Sequence, residues 1–306
     1  MRQIFIAGVK WARTQYLFHL FPPVDSECPD AGYWRFSSFK VSSTFNNIQP
    51  LSTTLNHLQP HSTIFNHIQP HKNIFNHIKQ LSLMATLLSH IIGEEHLIIS
   101  SERTLYWENE NTLIVADLHV GKTGHFRKAG IGVPANIYKD DLHRLLAQIL
   151  FFKAEKLIIV GDLTHSIANR EMDLFRKWRK DFSLLDVHLV KGNHDILENR
   201  WYEEADIQVH NDPYVVKNFL FVHDFRKLKI NVAPGKFVFS GHIHPGFHIK
   251  GRGKQSLRFP CFYFSQPHCI LPAFSRFTGT YKIEPKKGDD VFGIVEKEIM
   301  HLTFTK

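Results

Sequence analysis

Three cysteines (Cys28, Cys261 and Cys269) in 306 residues are too few for a disulfide framework and lack the spacing of zinc-binding pairs. That scarcity suits a reducing, cytoplasmic setting. No apolar run approaches the roughly 20 residues a membrane-spanning helix needs, so no membrane partner is expected. Acidic residues are missing before Asp25, as in a transit-like presequence. The apolar stretch Ile4 to Val9 is short and is broken by Lys10, which argues against a cleaved secretion signal. A strong charge of one sign is also missing from most of the chain. The net charge is +8, with 7 basic against 3 acidic residues in 1–83 and 30 against 26 in the remaining 223. Global charge is therefore a weak pointer to nucleic acid.

What is present falls into two textures. Residues 1–40 are aromatic and irregular. A decapeptide repeat follows, with Asn46-Asn47-Ile48-Gln49-Pro50 echoed at Asn56-His57-Leu58-Gln59-Pro60, Asn66-His67-Ile68-Gln69-Pro70 and Asn76-His77-Ile78-Lys79-Gln80. A recurring proline blocks a continuous helix, and ten residues are too few for a helical repeat unit. Residues 1–83 thus read as a low-complexity, disordered segment, or as a translated upstream repeat with Met84 as the natural start. His57, His67 and His77 leave a metal-binding or partner-binding module as the alternative.

Globular patterning begins after Met84. With 43% hydrophobic residues the chain can bury a sizeable core, and residues 84–306 read as one domain. Leu97–Ser100 and Thr104–Trp107 suggest a hairpin turning at Ser101-Glu102-Arg103. Thr112–Ala116, Leu157–Val160 and Val187–Val190 read as buried strands alternating with helices over Asn136–Phe152 and about Arg170–Phe182. After Ile207 short strands dominate, at Tyr214–Val216, Phe219–Val222, Phe237–Ser240, Ile270-Leu271 and Val291–Val295. Helix-linked strands first and strand-rich sequence later suggest an α/β fold, a sheet sandwich flanked by helices in an α-β-β-α order.

The chemistry collects at strand ends. Asp117 and His119 follow the first buried strand, two apart, and should project to one side of an extended backbone. Gly161-Asp162 ends the second, and Gly192-Asn193-His194-Asp195 ends the third. His223 ends Phe219–Val222, and Gly241-His242-Ile243-His244 ends Phe237–Ser240. Singly, each is an ordinary turn or surface pair. Together they supply two carboxylates, an amide oxygen and several imidazoles, a mixed O/N set without thiolate that suits Mn²⁺, Fe or Zn²⁺ better than Mg²⁺ or Ca²⁺. Seven ligands exceed what one ion takes and fit two divalent ions about 3.5–4 Å apart.

These motifs, in this order, resemble the signature of the calcineurin-like metallophosphoesterases. The resemblance implies that Asp117, His119, Asp162 and His244 hold one metal, and that Asp162 (bridging), Asn193, His223 and His242 hold the other. It makes His194 the general acid, with Asp195 as its orienter. One departure is Val222, where that family usually has glycine before the histidine. A narrower resemblance covers nearly all of 84–306. Asp117-Leu118-His119-Val120-Gly121-Lys122, His125-Phe126-Arg127, Val133-Pro134, Gly241-His242-Ile243-His244-Pro245, Gly251 to Arg258, Pro260-Cys261-Phe262, Leu271 to Phe274 and Phe277-Thr278-Gly279 are similar to bacterial ligase-associated DNA damage response endonucleases. That implies a Mn²⁺-dependent nuclease or phosphodiesterase functionally associated with a DNA ligase and a helicase.

Two cations would neutralise an anionic ester and lower the pKa of bound water, so that a bridging hydroxide attacks phosphorus while His194 protonates the leaving alkoxide. His125, Arg127 and Lys128 after the first motif, and Arg252, Lys254 and Arg258 after the last, could contact phosphates; a solvated basic face is the alternative. His165 reads as a residue steering a ligand or as plain loop, and Cys261 as core. A phosphatase or pyrophosphatase for small nucleotides, and an inactive scaffold of the same fold, are the competing functions.

Overall fold

Alternate residues of the central strands are buried on opposite sides, which explains why their sequences are apolar without a break. Leu113 and Val115, like Leu157 and Ile159, pack under helices. Ile114 and Ala116, like Ile158 and Val160, pack against a second sheet rich in phenylalanine. The computed structural model describes residues 4–7, 85–133, 137–165, 170–228, 232–250 and 256–304.

After β1 (Ile4–Ala7) come β2 (Leu87–Ile92), β3 (Glu95–Ser100), β4 (Thr104–Trp107) and β5 (Thr112–Val115). Helices α1 (Lys122–Lys128) and α2 (Ile137–Phe152) lead to β6 (Lys156–Val160). Helix α3 (Arg170–Asp181) leads to β7 (Asp186–Val190), and α4 (Asn199–Glu204) to β8 (Gln208–His210). These strands form a seven-stranded sheet in the order β2-β3-β4-β5-β6-β7-β8. It is antiparallel from β2 to β5 and parallel from β5 to β8. Parallel pairing sends the ends of β5, β6 and β7 to one edge, where loops can bring side chains together.

The rest of the chain is mostly strand: β9 (Tyr214–Val216), β10 (Phe219–Val222), β11 (Phe237–Ser240), β12 (Pro245–Lys250), β13 (Ser256–Ser265), β14 (His268–Ile270), β15 (Tyr281–Lys282), β16 (Asp290–Val295) and β17 (Glu298–Phe304). They build the second sheet in the order β1-β17-β16-β13-β14-β11-β10-β9, with β12 on β13 and β15 on β12. β10, β11 and β14 run parallel, so the ends of β10 and β11 share an edge too. Between the sheets, Trp107, Phe219, Phe221, Phe239 and Phe292 are essentially fully buried. At about 25 cal/mol per Å² of apolar surface, each such aromatic contributes on the order of several kcal/mol to cohesion before entropy is charged.

The helical cover is one-sided among the described residues. Tyr138, Leu142 and Ile149 of α2, Met172 and Phe175 of α3 and Tyr202 of α4 all pack on the first sheet. The outer face of the second sheet is covered by Phe247 of β12 and Ile283 in one patch, and by Phe225, Leu228 and Val232 in another. On that face the described residues form strands and a 3-10 turn (Phe225–Lys227). Helix α1 escaped the sequence reading because Lys-Thr-Gly-His-Phe-Arg-Lys has no apolar period. The strand β1 pairs antiparallel with β17. The decapeptide repeat, and the reading of it as disordered or as an upstream translation, lies outside the described residues.

Candidate metal centre

The seven candidate ligands lie at the shared edge, and most sit in an unusual backbone conformation. Asp117, His119, Asp162, His242 and His244 have φ of 54°, 50°, 48°, 66° and 52°. Left-handed geometry at a non-glycine residue costs of order 1–3 kcal/mol, and such strain collects where structure serves a site. This corrects the extended-backbone argument for the Asp117/His119 pair, and the same holds for His242 and His244. The side chains are aimed by left-handed turns, not by strand alternation.

Backbone hydrogen bonds between the loops hold those turns. Asp117 N donates to Gly161 O (3.1 Å), His119 N to Asp162 O (2.9 Å) and Val120 N to Leu163 O (2.8 Å). The loop after β5 is thereby zipped to the loop after β6. Phe274 N donates to Ala116 O (2.7 Å) and Ser275 N to Asp117 O (3.3 Å), so the Leu271–Phe274 segment backs Asp117. Buried Arg144 fixes that segment in turn, bridging the carbonyls of Glu102 and Phe274 and the carboxylate of Asp141. Glycine is required at Gly161, with φ 78°, because a Cβ there would fall within 2.8 Å of His223 Cε1 and closer to other ring atoms.

Two ligand groups result. In the first, Asp117, His119 and His244 present donor atoms within 4.8 Å of one another. His119 Nε2 lies 3.4 Å from His244 Nε2, and His244 Nε2 3.5 Å from Asp117 Oδ1. In the second, Asp162, His223 and His242 converge in the same way. His223 Nε2 is 3.4 Å from Asp162 Oδ1 and 2.9 Å from Asn193 Oδ1, which brings Asn193 to this group. His194 stands over both. Its Nε2 is 4.0 Å from Asp162 Oδ2, and its ring meets that of His119 at 5.5 Å.

The electrostatics call for a cation. Asp117 is fully buried and Asp162 is 2% exposed. Burial, reinforced by Asp117 and Asp195, pushes the Asp162 carboxyl up to about 8, against the hydrogen bond from His194 N that lowers it. Burial takes His223 down to about 4 and His119 far below the usual imidazole range, the latter helped by Lys122. His194 and His242 are lowered for the same first reason. Neutral imidazoles and an uncompensated buried carboxylate are what a divalent cation takes as ligands. The donor set of carboxylate, imidazole and amide oxygen fits two such ions.

Asp195 departs from expectation. Its carboxylate accepts from Thr164 N (2.8 Å), Gly192 N (2.9 Å), Leu163 N (3.3 Å) and Thr164 Oγ1 (3.0 Å). Those bonds occupy both oxygens, so it clamps the loops after β6 and β7 together instead of bonding the His194 ring. Its charge still raises the His194 pKa against burial and Lys122.

The expected substrate contacts separate. His125 is exposed on α1, its ring 6.0 Å from His165, whose ring stacks on His194 at 4.7 Å. Arg127 pairs with Glu171 (2.6 Å) and, with Lys128, Gly124 and Arg170, lines a groove of about 320 Å³. Arg258 is exposed on β13 opposite His248 of β12, which lies four residues after His244 in the chain. Arg252 and Lys254 lie outside the described residues. Cys261 is buried, and burial raises its thiol well above the usual range, as a core residue requires.

Two residues were missed. Lys122 is half-buried, donates to Thr278 Oγ1 (3.1 Å), and its charge acts on Asp117 and Asp162. Asp224, next to His223, is buried with Oδ2 3.6 Å from His242 Nε2. An acid directly after a ligand histidine was the available signal, as in His194-Asp195.

A two-sheet sandwich whose strand ends pool two carboxylate–imidazole groups has the fold of a metallophosphoesterase, a metal-dependent phosphoester hydrolase that works with divalent ions. Residues 111–255, a little under half of the chain, match the calcineurin-like phosphoesterase family. Among solved structures it is similar to a nuclease of Pseudomonas putida, MPE, with 28% sequence identity and a TM-score of 0.59. The likeness covers 70% of this chain and 98% of that one. No curated protein sequence matches. No helix among the described residues is long and apolar enough to cross a membrane.

Proposed function

We propose that this chain is a Mn²⁺-dependent DNA phosphodiesterase, an endonuclease acting in DNA repair. The observation that carries the reading is the adjacency of two ligand groups under one imidazole, with His194 Nε2 4.0 Å from Asp162 Oδ2. Asp117, His119 and His244 would hold one ion and Asn193, His223 and His242 the other, with Asp162 shared. When bound, the two ions neutralise the phosphodiester charge and make water acidic enough to act as nucleophile near neutral pH.

The chain's own groups do the rest. His194 is only partly buried and reaches over the centre, so it delivers the proton to the departing oxygen. Asp195 holds the loop that carries it. Lys122 sets a fixed positive charge beside both carboxylates. The groove at Arg127, Lys128, Arg170 and Glu171 favours a polynucleotide over a small nucleotide, because its three cations outnumber its one acid and two of them lie on α1, soon after Asp117 and His119. The similarity to a Pseudomonas putida nuclease supports the same choice. Association with a DNA ligase and a helicase belongs to this reading through the family resemblance, and cytoplasmic placement through the scarcity of cysteine.

The test is a parallel assay with Mn²⁺ on single-stranded DNA, a bis-aryl phosphodiester and a phosphomonoester. Cleavage of DNA and diester is expected. Turnover of the monoester alone would replace the reading with a small-nucleotide phosphatase. No bound metal and no turnover would leave an inactive scaffold.

A further inference from the structure

Asp224 follows His223 in the loop after β10 and is only 4% exposed, so its charge must be answered by neighbours. Arg226 answers it with three bonds: backbone N to Oδ1 (3.1 Å), Nε to Oδ1 (2.9 Å) and Nη2 to Oδ2 (3.0 Å). This fork fixes the carboxylate plane and leaves Oδ2 facing His242 Nε2 at 3.6 Å. On the other side of the same ring, His242 Nδ1 lies 3.0 Å from His223 Nε2, inside the second ligand group.

A neutral imidazole has one N–H and one lone pair, and an ionised carboxylate can only accept. With Nε2 turned to an acceptor, the proton belongs on Nε2 and the lone pair on Nδ1, where the ligand group needs it. The first group is built differently. His119 and His244 meet through Nε2, and His119 Nδ1 is buried with no hydrogen-bond partner among the described residues. We infer that Asp224, anchored by Arg226, is a positioning residue that fixes the tautomer and orientation of His242 and so completes the second metal site. At 3.6 Å the contact is longer than a hydrogen bond and acts on the ring through the carboxylate's charge. The inference rests on the metal-centre reading above.

The test uses the full chain, stripped with chelator and titrated with Mn²⁺ by calorimetry, beside ¹⁵N spectra of the imidazoles in the metal-free protein. Wild type should show two binding events, and His242 the Nε2–H signature. In Asp224→Asn one event should keep its affinity while the other weakens by about 10–100-fold. The His242 signature should move toward the other tautomer. Arg226 is exposed, so Arg226→Gln should fold normally and weaken the same event by less. Two unchanged events in both variants, or an Nδ1–H signature in wild type, would overturn the inference. If Asp224→Asn does not fold, unchanged binding by Arg226→Gln overturns it alone. Wild type that binds no Mn²⁺ removes the metal centre itself, whereas a wild type with two sites and an indifferent Asp224 removes only this inference.

Discussion

Replacing Asp162 with asparagine should stabilise the metal-free protein and weaken the metal-bound one, and the first effect should grow with pH. The Asp162 carboxyl is raised from 3.8 to about 8, chiefly by burial. Between those values the unfolded chain has released the proton and the folded chain still holds it. The unfolded state then binds fewer protons, so stability falls as pH rises through this window. Each pH unit above 3.8 costs about 1.4 kcal/mol, up to about 5 kcal/mol at pH 8 and about 1.5 at pH 5. Part of the shift comes from the neighbouring acids Asp117 and Asp195. The stability gap between variant and wild type should therefore widen by about 2–4 kcal/mol from pH 5 to pH 8. Half-buried His165 and buried His223, both lowered to about 4, are neutral from pH 5 to pH 8 and add little to the difference. Asparagine keeps an acceptor for His194 N, now 2.9 Å from Oδ1, so the loop need not move. Urea unfolding with chelator at pH 5, 6, 7 and 8 measures the gap. Adding Mn²⁺ should reverse the order, since only wild type retains the full ligand set. A gap that does not change with pH, or a wild type indifferent to Mn²⁺, would refute the argument that Asp162 is a buried carboxylate awaiting a cation.

His194→Gln should lower turnover by about 10²–10⁴-fold while elemental analysis finds the metal content unchanged; a loss of metal would make His194 a ligand instead. Asp195→Ala should lower the unfolding free energy by about 2–5 kcal/mol, because the buried backbone N–H groups of Thr164, Gly192 and Leu163 lose their acceptor. Calorimetric unfolding reads this directly, and a change under 1 kcal/mol would mean the clamp is not real. Gly161→Ala should destabilise by at least about 1–3 kcal/mol from backbone strain alone and should displace the His223 ring, lowering the bound metal count by titration.

The residue texture of a strand end is a local matter, which is why so much could be read from it. The runs Thr112–Val115, Lys156–Val160 and Asp186–Val190 are strands at almost the expected bounds, as are Phe219–Val222 and Phe237–Ser240. The edge strand β2 and the polar helix α1 were harder, because half-exposed or period-free segments leave no pattern. The ligand residues were legible through their types and order. How they are aimed was not, since a φ near 50° at Asp117 or His119 comes from the paired loops around it.

By itself the sequence determined the inventory: which side chains follow buried strands, that they are oxygen and nitrogen donors without thiolate, and that His194 and Asp195 stand beside them. Tertiary structure alone decided the grouping. Asp117, His119 and His244 meet because parallel pairing of β5 with β6 and of β10 with β11 delivers loops from two sheets to one edge. It also turned Asp195 into a loop clamp and put Asp224 behind His242, contacts between residues 18 to 32 positions apart in the chain. Residue chemistry is written locally, whereas distance between remote side chains is set by strand register and packing, which no local stretch contains.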